Sequence, residues 1–383
     1  MSEDNILLSD PDISMVEIEA VTEVLKSPRL SNGPAVAAFE AEFAAYVGRK
    51  HAVAVSSGTM GLLLCLCAYD VGRGDEVIVS PYSWHQIAHA VAISNATPVF
   101  ADIDYWSGTI SPEKMEAKLS ARTRAVVAGN TNGHPASWDA LRTLADQRSV
   151  LLLEDSTEAI GSRYAGKRVG SFGDCAIFDF SQPGPLVCGE GGMVVTDDAD
   201  IAAALRSHRA RRLDERFSVS VTARLPYQAV MSDVSATLGL AQLRRIDDIL
   251  ERRKQIERYY FDYVKSFEGI KDPYVAPDVD EVHWFLYLVH LGTRFTRSSR
   301  DAIIDDLRVE FVEAAAYCQP LHLQRFYLDK GNRKGECPVT EKVADRILAL
   351  PFHGHLMEEQ IGFIVQTAKD ASVNIGAGSA IYL

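Results

Sequence analysis

The sequence predicts an α/β protein: a mostly parallel sheet covered by helices on both faces, followed by a smaller C-terminal α+β part. Three observations lead there. Short, nearly continuous apolar runs alternate with stretches of helical spacing through the first half of the chain, as strands buried on both faces with crossover helices do. At 383 residues the chain exceeds one small core and suits a large domain over 1–250 and a small one over 251–383. Apolar residues make up 47% and charged residues 24%, as in an ordinary globular protein.

The elements follow in order. Residues 16–25 have helical spacing, and 36–46 repeat it with Phe39 and Phe43 four apart. A short apolar strand at 52–55 runs into Ser56-Ser57-Gly58-Thr59, and a helix is predicted over 60–69. Strand 76–79, helix 86–94, strand 98–102, helix 112–119, strand 125–128, helix 136–147 and strand 150–153 continue the alternation, which ends at Glu154-Asp155. Strands 175–180 and 193–196 then flank a loop closed by Gly189-Glu190-Gly191-Gly192; a strand follows that turn, so it is no dinucleotide fingerprint. One long charged helix over 233–267 leads to strand 284–291, helix 299–307 and a last helix near 358–369.

A net charge of −13 argues against nucleic acid or an anionic membrane as the partner, since both would be repelled. No basic, apolar leader opens the chain and no apolar run approaches the ~18 residues a span needs. Six cysteines in so long a chain do not suggest a disulfide framework, and Cys65 and Cys67 lie in an apolar run. A reduced, cytoplasmic protein is expected.

Several motifs in sequence order resemble the DegT/DnrJ/EryC1/StrS family. They include Asp12-Ile13-Ser14, Gly33-Pro34, Ser57-Gly58-Thr59, 74–79, Pro98-Val99-Phe100, Glu154-Asp155, 166–174, 189–192 and 239–243. These are fold-type-I aminotransferases and dehydratases acting on nucleotide sugars and cyclitols. The resemblance implies the aminotransferase fold, with a seven-stranded-type sheet, and pyridoxal phosphate (PLP) chemistry. It implies that Gly58 and Thr59 cradle the cofactor phosphate at a helix start, that Trp84 stacks on the pyridine ring, and that Asp155 pairs with the pyridinium nitrogen so that the ring acts as an electron sink. His85, Asn130, Tyr227 and Gln228 join them as cofactor- or substrate-binding positions.

The chain also departs from the family. The family's Ser-Phe-His-x-x-Lys becomes Asp179-Phe180-Ser181-Gln182-Pro183-Gly184, so Gly184 takes the position of the Schiff-base lysine, and no lysine occurs between Arg168 and Arg253. Without that amine neither the covalent link nor the lysine's proton shuttle is available. Asp179 replaces a serine that would donate to the phosphate; at ~4 Å such repulsion costs about 4 kcal/mol per unit-charge pair at an effective dielectric of ~20. Glu158 stands where glutamine or histidine would meet the ring's 3′-oxygen, and Val230 replaces an arginine of the neighbouring-subunit loop.

Asp155, Glu158, Asp179 and Ser181 are therefore the expected catalytic residues, because crowded carboxylates drive one another's pKa values apart and so provide an acid and a base. His85 with His89 has helical spacing for a shared ligand but lacks a third placed group, so no metal is expected. Cys188 is a weaker candidate nucleophile. Three readings stay open. One is an aminotransferase-fold biosynthetic enzyme without lysine-bound PLP, using pocket carboxylates on a neutral or cationic small molecule. The second is a non-catalytic subunit completing an intact paralogue, and the third an enzyme holding PLP or its amine form, PMP, non-covalently. The expectation is that no cofactor is covalently bound, that PLP or PMP is disfavoured, and that the chain forms a homodimer or heterodimer.

Overall fold

The computed structural model describes residues 5–31, 33–210, 226–264, 270–271 and 273–380. The N-terminal segment reaches α1 (Met15–Leu25), started by a capping box in which Ser14 and Glu17 serve each other's ends. Helix α2 (Pro34–Val47) has proline in its first turn. The main alternation follows: β1 (His51–Val55), α3 (Gly58–Ala68), β2 (Glu76–Val79), α4 (His85–Ile93), β3 (Thr97–Phe100), α5 (Pro112–Glu116), β4 (Thr123–Gly129), α6 (Trp138–Arg148) and β5 (Leu151–Asp155). Beyond it lie the two-residue strands β6 (Arg163–Tyr164) and β7 (Lys167–Arg168), then β8 (Cys175–Asp179), β9 (Gly192–Thr196) and α7 (Ala199–Arg209).

Seven strands form the main sheet in the order β1-β9-β8-β5-β4-β2-β3. Only β9 runs against its neighbours; the β2–β3, β2–β4, β4–β5 and β5–β8 pairings are parallel. Both faces are covered. Helix α3 buries residues 62–66 almost completely against one face, and Trp138, Leu141 and Ala145 of α6 cover the other. Apolar side chains all round α3 thus record a helix enclosed on every side rather than an amphipathic surface helix.

The predicted helix over 233–267 is two helices, α8 (Asp233–Arg244) and α9 (Ile246–Val264), broken at Arg245 (φ −107°, ψ 5°). No glycine or proline marks the break. Arg245 instead ion-pairs with Asp12 at 2.9 Å and with Glu17, anchoring the joint to the N-terminal segment. Residues 265–267 lie outside the described residues.

The C-terminal part holds β10 (Ile270–Lys271), β11 (Val279–Glu281), β12 (Tyr287–Leu291), α10 (Arg297–Val309), β13 (Ala315–Ala316), α11 (Arg325–Leu328), α12 (Pro338–Ala344), β14 (Ile347–Leu350) and α13 (Glu358–Ala380). Four of its strands pair in the order β10-β12-β14-β13, and β11 joins β6 and β7. Strand β12 starts three residues later than predicted because residues 284–286 bond elsewhere. Buried Arg253 donates to the carbonyls of Trp284 (2.9 Å) and Phe285 (2.8 Å), and Leu286 N–H donates to Asn132 Oδ1 (2.9 Å).

Candidate active site

The parallel strands β5 and β8 end side by side, with Asp155 opposite Ile177 in the register. That places Asp155 and Asp179 at the carboxyl edge of the sheet, where open α/β sheets bind ligands. Strand β1 ends at the same edge, and Ser57 caps α3 by accepting from Met60 N–H (3.2 Å). The approach is close: a Cβ at Gly192 would lie 2.6 Å from the Ser57 carbonyl carbon, so only glycine fits where β9 begins.

Asp179 is buried and accepts three hydrogen bonds. Its Oδ2 takes Gly58 N–H at 2.7 Å, and its Oδ1 takes Ser181 N–H at 2.8 Å and the Ser181 hydroxyl. An internal carboxylate thus uses one of the donors at the α3 N-terminus and ties the loop after β8 to it. Thr59, half-buried beside it, has no protein hydrogen-bond partner for its N–H or hydroxyl among the described residues. Ser181 serves Asp179 rather than the cleft.

Asp155 accepts from Thr157 N–H at 3.0 Å through Oδ1. Burial raises its pKa to about 6, and the charges of Asp179 and Glu154 add to the rise. Glu158, three residues on, is pushed up to about 7 by burial against the lowering hydrogen bonds of Tyr317 and Asn132. Among the described residues, no Lys or Arg pairs with Asp155, Glu158 or Asp179. This cluster, predicted from sequence as a meeting of carboxylates, is brought together at one strand edge.

Gly184 lies in the loop after β8. A Cβ there would sit 3.6 Å from Leu186 O and 3.7 Å from Phe285 Cε2, ordinary contact distances, and its φ lies outside the left-handed range. Neither space nor backbone requires glycine at 184. Trp84 immediately precedes α4, partly exposed, and His85 opens that helix.

Other expected positions are already engaged or lie elsewhere in the single chain, Tyr227 and Gln228 in the loop expected to reach a neighbouring subunit. Asn130 is buried and spends both amide hydrogens on Glu154 and Ser156 and its oxygen on Ala136 N–H and Trp138 Nε1 (2.9–3.0 Å), so its amide is a structural hub with nothing left for a ligand. Tyr227 lies 3.4 Å from Cys67 Sγ at the far end of α3, about 14 Å along the helix from Gly58 at 1.5 Å per residue. Gln228 beside it is exposed and left-handed (φ 53°). Cys188 is corrected as a nucleophile: burial holds its thiol well above the ordinary value, and Sγ donates to Glu190 O at 3.4 Å. His89 stacks on Tyr327 with ring centroids 6.4 Å apart. Sequence reasoning missed Tyr317 and Asn132, which reach Glu158 from 159 and 26 residues away and carry no local motif.

A mostly parallel seven-stranded sheet with carboxylates at its carboxyl edge and a helix N-terminus beside them is the architecture of the aminotransferase fold, type I. The pattern of the DegT/DnrJ/EryC1/StrS aminotransferase family matches residues 11–369, and the chain belongs to that family. It is 35% identical over 371 residues to the spore coat polysaccharide biosynthesis protein SpsC of Bacillus subtilis, covering 94% of this chain and 95% of that one. The aminotransferase TlmJ of Streptoalloteichus hindustanus is 29% identical, with 97% and 100% of the two chains covered and a TM-score of 0.88. A Streptococcus pneumoniae protein assigned as a sugar aminotransferase, solved in its PMP-form, is 24% identical with 98% and 100% covered and a TM-score of 0.92; its PLP-form gives 0.90.

These findings overturn the expectation of a protein with no covalently bound cofactor and with PLP or PMP disfavoured. The family is one of aminotransferases, and the same fold is solved with PMP and with PLP. The physical reason lies at the ring end of the cleft. Asp155, half-buried with Thr157 as its donor, has no cation beside it among the described residues, and so leaves room for a positively charged partner.

Proposed function

We propose that this chain is a sugar- or cyclitol-modifying biosynthetic enzyme that binds a pyridoxal-type cofactor through Asp155, Trp84 and Thr59. The observation that carries this is Asp155. A half-buried carboxylate at a strand edge, raised to about 6 and lacking any cation among the described residues, is poised to pair with a protonated ring nitrogen. The cofactor would supply an electron sink for bond cleavage at the carbon attached to the reacting nitrogen. Because Gly184 offers no amine, this chain's proton transfers fall to its carboxylates, Glu158 foremost. Asp155, Glu158 and Asp179 without a paired cation favour a neutral or cationic reacting group in the cleft.

The test is an absorbance titration of the purified protein with PMP and with PLP, against Asp155→Asn. Saturable spectral change in the native protein, weakened on the order of tenfold or more in the variant, is expected, since a buried ion pair is lost. No saturable change with either form would refute the proposal.

A further inference from the structure

Glu158 is held asymmetrically. Tyr317 Oη–H donates to its Oε2, and Asn132 N–H donates to the same oxygen at 2.6 Å. Its Oε1 accepts no hydrogen bond among the described residues, and the side chain, though buried, keeps 8% exposure. Both donors are themselves fixed. Asn132 adopts a left-handed backbone (φ 49°), and its side chain straddles Leu286, accepting from the N–H at 2.9 Å and donating to the carbonyl at 3.1 Å. Tyr317, buried, packs edge-on against Tyr82 with ring centroids 5.4 Å apart. The two donors thus come from opposite sides, one after β4 and one after β13.

We infer that Tyr317 and Asn132 are positioning residues that make Glu158 a directional acid, with its proton held on Oε1 toward the cleft. The inference rests on the cleft being the site of turnover proposed above. With Oε2 committed to two donors, a proton there would oppose both, so the acid form carries it on Oε1. When that O–H bond breaks and the proton passes to a basic oxygen or nitrogen of the bound molecule, the carboxylate charge left behind is stabilised by the phenol and the amide N–H at Oε2. The reverse transfer restores the acid, and no other bond changes.

The groups facing Glu158 are few. Asp155 adds a like charge, Tyr82, Tyr317 and Cys318 are buried neutral groups raised by burial, and Arg300 faces Tyr82 from α10. Glu158 at about 7 is therefore half-protonated near neutrality, where an acid that must also serve as a base is most effective. Tyr317 lowers that value by donating to the charged form.

The experiment is a carbon-13 carboxyl titration of the ligand-free, glutamate-labelled protein, with Glu158→Gln identifying the resonance. Native protein should titrate near pH 7, and Tyr317→Phe should move the midpoint up by on the order of one unit while thermal unfolding still shows a folded protein. Asn132→Gly keeps the left-handed turn but releases the Leu286 clamp, so it should also raise the midpoint, and it stands in if the first variant does not fold. A Glu158 midpoint in the ordinary carboxylate range, or one unmoved by either variant, would overturn the inference. Failure of cofactor binding with these shifts intact would sink only the proposed function.

Discussion

Glu158→Gln should stabilise the protein at pH 8 and do so much less at pH 5. The amide matches the carboxyl in shape, and its oxygen can accept from Tyr317 and Asn132 while its NH₂ takes the place of Oε1. What it removes is a buried ionisation. Glu158 rises from 4.5 to about 7 on folding, so between those values the unfolded chain has lost a proton that the folded chain still binds. Stability then falls as pH rises, by about 1.4 kcal/mol per unit. At pH 5 that loss is only beginning; by pH 8 it is complete. The difference between the two pH values is about 2–3 kcal/mol, present in the native protein and absent from the variant. Urea unfolding of both proteins at pH 5 and pH 8 measures it. An equal difference at both values would mean that Glu158 ionises in the folded protein as readily as in the unfolded one.

Two further outcomes follow from the loop after β8. Asp179→Ser frees Gly58 N–H and removes a charge from the anion-binding end of α3, so PLP should bind on the order of tenfold tighter in a fluorescence titration; unchanged affinity would show that the phosphate does not reach that N–H. Gly184→Ala should leave thermal stability unchanged or raise it by about 0.4–1 kcal/mol, because the added Cβ meets only ordinary contacts and restricts the unfolded chain. A loss of more than about 2 kcal/mol would mean that the loop needs glycine after all.

The fold was legible because its signals are local. Apolar runs such as 76–79 and 151–153 sit in strands buried on both faces, and each alternates with a helix. The break at Arg245 was not legible, because ion pairs to Asp12 and Glu17 more than 200 residues away set it. The same divide runs through the site. Asp155, Glu158 and Asp179 could be gathered from the ends of β5 and β8, since strand order carries them to one edge. Asn130, placed at the cleft by resemblance, is committed to Glu154 and Trp138, and only the folded chain shows that its four hydrogen bonds are already used. Tyr317 leaves no trace in spacing at all.

Gly184, Asp179 and Glu158 have three different physical characters, and that bears on how the site works. Gly184 is permissive: space and backbone would accept a side chain. Asp179 is integrated, accepting three hydrogen bonds that knit loop to helix, so altering it changes structure as well as charge. Glu158 is poised, with one oxygen clamped by two donors and its pKa raised to about 7. A side chain that had merely lost its role would have no reason to acquire two fixed donors on a single oxygen. Holding a raised carboxyl carries a stability cost at neutral pH, and the inference drawn above gives that cost a purpose, an acid directed at the cleft.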